Sequence, residues 1–310
     1  MTDNTTPGTT PEGGVSRRGL LLGAAAAGGF AVGVGGTLGA TAAYAATHLG
    51  SGDDGDLVDL STEHAFYGQA EQAGISTPQQ RYSIFMTFDL TSTSRSDLQV
   101  LLARWSGAIA QLVKGKTIGQ VEPHQVDAVG GDTGEALELA PASLTVTVGL
   151  GPKVFTGSYG LAHQKPSLLR DLKRLPSDAL QKELTGGDLS LQACADDPQV
   201  AYHAIRDLAR IGKDSGTAAT RWAVMGFGRA SAGKGQVTPR NLLGFKDGTR
   251  NLKEAQDFDK FVWIKDGPAW QHHGSYQVVR KIQMHIENWD TDRVSDQNNV
   301  IGRHKTAAHH

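Results

Sequence analysis

The chain has 310 residues, which is enough for one large domain or two domains of ordinary size. Its 30 Lys and Arg residues nearly balance its 32 Asp and Glu residues, and the net charge of -2 argues against a nucleic-acid-binding protein. A hydrophobic fraction of 39% with 20% charged residues predicts a globular core rather than a disordered chain. The single cysteine, Cys194, excludes an intrachain disulfide framework and a multi-cysteine metal cluster.

Residues 1–46 have the three regions of an export signal. Arg17 and Arg18 precede an uncharged stretch rich in alanine and glycine, and a cleavage-type Ala-Tyr-Ala follows at 43–45. A membrane-spanning helix is the alternative, but the stretch is too weakly hydrophobic to favour it. The arrangement resembles the twin-arginine (Tat) signal, whose route exports proteins that are already folded. It implies the Tat translocase as a partner and a periplasmic, cell-surface or secreted location.

A linker is expected at residues 47–62, which are rich in Asp and Gly, and a first domain at 63–235. Alternating apolar and polar residues predict strands in this domain, and helical spacing of apolar residues predicts helices. The predicted elements are a strand at 81–90, a helix at 98–113, strands at 143–150 and 188–193, a helix from 196 to about 211, and a strand at 220–227. This β-α-β-β-α-β order is that of a ferredoxin-like unit, with an inserted helical connection at 161–184.

Residues 236–310 are expected to begin a second unit of the same kind. The run YQVVRKIQMHIENW at 276–289 alternates like the first strand and predicts a long strand, and 292–299 could begin a helix. A lone strand would expose a long unpaired edge, so the second domain is predicted to be incomplete. The fold class is therefore α+β, with tandem ferredoxin-like domains built from antiparallel sheets that carry helices on one face.

Four segments in this order resemble the dye-decolourising (DyP-type) haem peroxidases, above all their Tat-exported, deferrochelatase-like branch. The segments are YG at 67–68 with QAGI at 72–75, GDL at 187–189 with QACADDP at 192–198, NLLGFKDGTRN at 241–251, and GSYQVVR at 274–280 with ENWD at 287–290. That family has two ferredoxin-like domains and a b-type haem in the second. The resemblance implies a peroxidase that reduces hydrogen peroxide and oxidises dyes, phenolics or haem-related substrates. A homo-oligomer remains open.

The resemblance also implies a set of site residues. The family's Gly-x-x-Asp-Gly segment spans 244–248, which makes Asp247 the distal acid/base that moves a proton between the two peroxide oxygens. Gly248, Thr249 and Arg250 would line the haem, because a glycine lets the backbone approach a flat macrocycle. The alternative is an ordinary tight turn, since Asp-Gly is a common turn pair.

No ligand for the haem iron is carried over. In the family, the proximal histidine and the distal arginine both lie downstream of the Gly-Arg-His-Lys segment, here at 302–305, which leaves the metal position unassigned. One b-type haem per chain is expected only if that axial ligand is supplied. We therefore expect weak or absent peroxidase activity from this chain. The alternatives are an inactive remnant that lacks the ligand, or a non-catalytic protein that binds a porphyrin or another apolar ligand.

The other histidines and the cysteine are weak ligand candidates on sequence grounds. His285 is expected to be a solvated or hydrogen-bonded residue on the polar face of its strand, and His203 a packing residue on a helix face. Cys194 is expected to be an inert core thiol. The remaining histidines are expected to be exposed: His272 and His273 in a loop, and His304, His309 and His310 in a terminal tail.

Overall fold

The computed structural model describes residues 58–228, 239–248 and 250–306. The predicted export signal at 1–46, the linker up to residue 57, Thr249, and the terminal histidines His309 and His310 lie outside the described residues. Among the helices within these ranges, none is both long and apolar enough to cross a membrane.

A four-stranded antiparallel sheet forms the centre of the first domain. Its strands are β1 (Tyr82–Leu90), β2 (Thr145–Leu150), β3 (Leu189–Ala195) and β4 (Ala218–Phe227). In space their order is β2-β3-β1-β4, with β1 paired to both β3 and β4 and β2 paired to β3. The four strands predicted for the first domain are confirmed, each with a shift of a few residues at its ends.

Two helices complete the predicted β-α-β-β-α-β order. Helix α1 (Arg95–Leu112) begins after Ser94, whose hydroxyl accepts a hydrogen bond from the Asp97 amide at 3.3 Å. Helix α2 (Pro198–Asp214) begins after Asp197, whose carboxylate accepts from two amides of the first turn at 2.7 and 3.1 Å. Pro198 at the first helical position loses no intrahelical hydrogen bond, because that position has no partner for an amide.

The core lies between the two helices and one face of the sheet. In β3 the side chains alternate strictly, and Leu191 on the helix side is fully buried. Trp105 of α1 is also buried, and its Nε1 donates to the carbonyl of Leu208 in α2 at 2.8 Å. Burying a side chain of the size of Leu191 stabilises the fold by about 1.5–3 kcal/mol. The prediction that Cys194 is a core thiol is wrong, because it lies half-buried on the opposite face of β3, where burial still raises the pKa of its thiol.

The connection at 161–184 differs from the prediction. Instead of a helix it contains two single turns of 3-10 helix, Ala162–Gln164 and Lys182–Leu184, joined by irregular chain. Pro166 and Pro176 interrupt the apolar pattern, and proline in a helix interior removes a backbone hydrogen bond and clashes with the preceding turn. The leucines of this connection are largely exposed.

Residues 239–306 contain short helices and no regular strand in their described part. The helices are α3 (Ala255–Phe261), α4 (Ile286–Thr291) and α5 (Val294–Ile301), and α5 confirms the helix expected after residue 292. The strand predicted at 276–289 is wrong, because residues 276–285 pair with no strand in the described part of the chain and 286–291 are helical. The side chains of Val278 and Ile282 are 62% and 68% exposed, so they do not form the buried face that a strand would need.

Candidate functional site

The predicted distal residue, Asp247, follows a tight loop at 241–246 that is held by hydrogen bonds to Asn241. The side-chain oxygen of Asn241 accepts hydrogen bonds from the amides of Leu243 and Phe245 at 3.0 and 3.2 Å. The Asn241 amide donates to the carbonyl of Phe245 at 2.9 Å, and a single β-bridge joins Arg240 to Lys246. Backbone and side chain of Asn241 together therefore fix the path of the chain into Asp247.

The base of this loop is anchored by Phe245, which is fully buried. Its ring forms a T-shaped pair with the Trp289 ring at a centroid distance of 6.4 Å, and Lys305 Nζ lies 5.4 Å from its ring centre. Two arginines add hydrogen bonds to the loop backbone. Arg240 donates to the Gly244 carbonyl at 2.8 Å and Arg303 to the Lys246 carbonyl at 2.8 Å. These contacts attach the loop to the segment that follows α5.

Asp247 itself presents an exposed carboxylate that accepts no hydrogen bond from the described residues. Its amide donates to the Pro239 carbonyl at 2.8 Å, which fixes its backbone. The next residue, Gly248, has φ +96°, and a Cβ at this position would lie 2.9 Å from the Asn251 side-chain nitrogen. Arg250 is exposed, and Thr249 lies outside the described residues. The adjacent residues Asp247 and Gly248 therefore lie on a loop whose backbone is fixed by hydrogen bonds. Their roles stay predictions.

The described histidines do not include an evident haem ligand. His203 is buried between two carboxylates, and His64 is hydrogen-bonded to the Ser143 hydroxyl at 2.8 Å. The other described histidines are exposed, as expected for those considered in the sequence: His124, His163, His272, His273, His285 and His304. The free Asp247 carboxylate and the backbone at Gly248 fit one side of a flat haem. The described residues supply no evident axial ligand for the iron.

A separate cleft of about 2020 Å³ lies over the sheet face that the two long helices leave uncovered. Phe85 and Trp222 contribute to its sheet side, and the segment 270–283 contributes to its other side. The Gln277 side-chain amide donates to the Gln192 side-chain oxygen at 2.8 Å and so holds that segment near the sheet. Asp247, Gly248 and Arg250 are not among its lining residues, so the cleft and the Asp247 loop are different sites.

A second group of titratable residues was not recognised in the sequence. Asp132, His203 and Asp207 are buried together in the first domain, with His203 Nε2 2.9 Å from Asp132 Oδ1 and 3.2 Å from Asp207 Oδ2. His203 was expected to be a packing residue only. The four-residue spacing of His203 and Asp207, which places both on one face of α2, is the signal that could have revealed the pair.

Burial and hydrogen bonding act in opposite directions on these groups. Desolvation alone would lower the pKa of His203, but the neighbouring carboxylates of Asp207 and Asp132 raise it above its usual value. For Asp132, desolvation would raise the pKa, but hydrogen bonds from the Ile118 amide, His203 and the Gly134 amide hold it below its usual value. The lowered pKa of Asp132 and the raised pKa of His203 favour an ionised Asp132 beside a cationic His203 when no other cation is present.

Comparisons with known proteins agree with the resemblance found in the sequence. The family model described as Dyp-type peroxidase, N-terminal, matches residues 72–228, and the model described as Dyp-type peroxidase, C-terminal, matches residues 238–310. A deferrochelatase of Yersinia pseudotuberculosis is 36% identical over 299 residues, which cover 94% of this chain and 67% of that protein.

Solved structures give the same assignment. A DyP-type peroxidase from Streptomyces coelicolor superposes with a TM-score of 0.70 at 37% identity, covering 81% of this chain and 65% of that one. Ferric DtpA from Streptomyces lividans superposes with a TM-score of 0.69 at 38% identity, covering 79% of this chain and 64% of that one. The chain therefore spans slightly less than two thirds of each of these structures.

Proposed function

Because the chain belongs to the Dyp-type peroxidase family, we propose that it acts as a haem-dependent peroxidase that reduces hydrogen peroxide. Dyes, phenolics or haem-related compounds would be the electron donors, and one b-type haem per chain the cofactor. The observation that carries the proposal is the fixed loop from Asn241 to Gly248, which presents a free carboxylate beside a glycine of positive φ. When bound, the haem would supply the redox chemistry, while the protein supplies binding, proton delivery and electrostatics.

In this proposal Asp247 is the proton carrier. Its carboxylate would take a proton from one peroxide oxygen and return it to the other, which assists cleavage of the bond between them. Two features of the loop suit that task. The backbone of Asp247 is fixed through the Pro239 carbonyl, and its side chain is not engaged by another described residue. Gly248, Thr249 and Arg250 would provide the surface against which the haem rests.

Export before function is part of the same proposal. Arg17 and Arg18, followed by the weakly apolar stretch, support recognition by the Tat translocase. A protein that must bind haem in the cytoplasm gains from a route that carries folded proteins, and a single cysteine means that no intrachain disulfide has to form after export. Replacing Arg17 and Arg18 together by Lys should retain the protein in the cytoplasm, which fractionation of cells would show directly.

An absorption titration with ferric haem tests the peroxidase proposal. We expect a saturable Soret band at one haem per chain, distinct from that of free haem and altered on addition of peroxide. Asp247→Asn should retain the haem band and slow the peroxide response by roughly 10²–10⁴-fold, the usual contribution of a general acid/base. Asp266→Asn, a change at another exposed carboxylate of the same region, should leave the response unchanged.

The other outcomes separate the alternatives. A spectrum identical to that of free haem would contradict haem binding by this chain and favour an inactive remnant. A shifted Soret band without any response to peroxide would favour a porphyrin-binding protein. Equal peroxide rates in Asp247→Asn and the unsubstituted chain would overturn the role of Asp247 and leave haem binding intact. We expect turnover to be slow, because the described residues provide no evident axial ligand for the iron.

A further inference from the structure

The three residues Asp132, His203 and Asp207, called here the Asp132 cluster, form a buried charged group away from the proposed peroxidase site. Their exposed fractions are 3%, 4% and 0%. Buried charges are costly unless they are paired or bound to a metal ion, so two carboxylates and one imidazole in the same pocket require an account. The peroxidase proposal makes no use of them.

Hydrogen bonds from the described residues satisfy both oxygens of Asp132 but leave one oxygen of Asp207 without a donor. The Nε2 nitrogen of His203 carries at most one proton, and its hydrogen bond runs to Asp132 Oδ1 at 2.9 Å. Asp207 Oδ2 lies 3.2 Å from the same nitrogen, is fully buried, and accepts no hydrogen bond from any described residue. A buried carboxylate oxygen without a hydrogen-bond donor costs free energy, whereas a bound cation would coordinate it.

The distances within the cluster suit a common metal ion. The three ligand atoms lie within 4.8 Å of one another. Two donors that are each about 2.1 Å from an ion lie about 3.0 to 3.4 Å apart at bond angles of ~90–109°. The two measured separations from His203 Nε2, 2.9 and 3.2 Å, are close to these values. His203 Nε2 and one oxygen of each carboxylate would therefore be ligands of one ion, with the His203 position adjacent to both carboxylate positions.

Backbone amides orient both carboxylates, and one of them, the Gly134 amide, donates to the proposed ligand oxygen Asp132 Oδ1 at 2.7 Å. The second oxygen of Asp132 accepts a hydrogen bond from the Ile118 amide at 2.9 Å, and the second oxygen of Asp207 accepts one from the Thr133 amide at 3.2 Å. Metal ligands are commonly fixed in this way by hydrogen bonds to their other atoms. The backbone of the loop thus orients two ligands toward the same point beside His203.

From this geometry we propose that the Asp132 cluster binds one divalent metal ion of the zinc type. A mixed set of imidazole nitrogen and carboxylate oxygens suits Zn²⁺, whereas Mg²⁺ and Ca²⁺ favour oxygen ligands alone. The ion would join the loop that carries Asp132 to helix α2. The Arg210 guanidinium already connects these two parts by donating to the Gly130 carbonyl at 2.8 Å. The site is structural and independent of haem.

The test is a titration of the metal-free 310-residue chain with ZnCl₂, followed by calorimetry and thermal unfolding. His309→Ala and His310→Ala are introduced into every sample, because the terminal histidines could bind zinc by themselves. We expect one Zn²⁺ per chain, a higher unfolding temperature with bound Zn²⁺, and no displacement by an equal concentration of Mg²⁺. Asp207→Asn should weaken zinc binding by at least roughly 10–100-fold, since even outer contacts have effects of this size.

The control is Asp214→Asn, which changes an exposed carboxylate on the same helix and should leave zinc affinity unchanged. Circular dichroism checks that each variant is folded. Should Asp207→Asn fail to fold, Co²⁺ added to the chain that retains Asp207 provides a second measurement. A visible absorption band that one equivalent of Zn²⁺ removes supports the site. Absence of zinc binding, or equal affinity in Asp207→Asn, would overturn the proposal and leave a cationic His203 shared by two carboxylates.

Discussion

The first domain and residues 239–306 carry similar apolar patterns and form different structures. In β3, alternation places Leu191 under two helices, and β3 has hydrogen-bonded neighbours on both sides. Residues 276–285 alternate in the same manner, but the segment pairs with no described strand and Ile282 is 68% exposed. The contrast shows that a period of two creates the option of a strand, while a partner strand and a covering layer decide whether it forms.

The two regions also differ in how many apolar side chains they bury. The first domain has one continuous core between sheet and helices, which includes Trp105 and Leu208. Among the described residues of 239–306, the buried apolar side chains are Phe245 and Trp263. The later region is therefore held mainly by hydrogen bonds to its loop backbone, such as those of Arg240 and Arg303. We expect stability to be concentrated in the first domain.

The largest expected effect compares Leu191→Ala with Ile282→Ala. Removing the fully buried Leu191 side chain should lower the free energy of unfolding by about 2–5 kcal/mol, because it leaves a cavity between β3 and the helices. Ile282→Ala, at an exposed position, should change it by less than about 0.5 kcal/mol. Urea unfolding followed by circular dichroism measures both. A comparable loss in Ile282→Ala would mean that residues 276–285 are packed in a sheet after all.

The same contrast explains which elements could be predicted from sequence. The first-domain strands were found because local pattern and tertiary packing agree there, and the helices because Ser94 and Asp197 give clear start signals. The predicted strand at 276–289 failed because its pattern contains no information about a partner. The helix predicted at 161–184 failed for a reason visible in the sequence, since two prolines interrupt it.

Site residues were predictable to different degrees. Asp247 was identified only through resemblance, because Asp-Gly alone also marks an ordinary turn. The contact between His203 and Asp132 joins residues 71 positions apart, and no local pattern reports such a closure. Only the spacing of His203 and Asp207 on α2 was available in advance. The Asp132 cluster forms where a loop packs against α2, and it could therefore be identified only from the structure.

Substitutions at helix caps should have effects of intermediate size on the stability of the two regions. The Asp197 carboxylate binds two amides at the start of α2, whereas Arg293 precedes α5 without a side-chain cap. Asp197→Ala should destabilise the first domain by about 0.5–2 kcal/mol, the usual effect of losing a cap. Arg293→Ser should instead protect α5, visible as slower amide exchange in 294–301 with little change in global unfolding. Global destabilisation by Arg293→Ser would show that the two regions unfold as one unit.

The smallest expected effect is a pH dependence of the contact between the two regions. Asp178, in the connection before β3, pairs with Arg280 of the extended segment. The hydrogen bond from Arg280 and that from the Leu175 amide hold the pKa of Asp178 below its usual value of 3.8. A carboxyl whose pKa is lower in the folded state stabilises that state above its unfolded pKa. That contribution is lost as pH falls through the folded pKa, so the window lies at and below about 4.

NMR spectra between pH 5 and pH 3 measure this contribution through the signal of the Arg280 guanidinium and the backbone amide shifts of residues 276–285. In the unsubstituted chain both should move as the pH falls, because protonated Asp178 no longer attracts Arg280. In Asp178→Asn they should already lie near their acid positions at pH 5 and change little. The Gln277 to Gln192 hydrogen bond joins two neutral groups and provides an internal reference in the same segment. If acid leaves the shifts unchanged in both chains, that neutral contact rather than the ion pair holds the segment near the sheet.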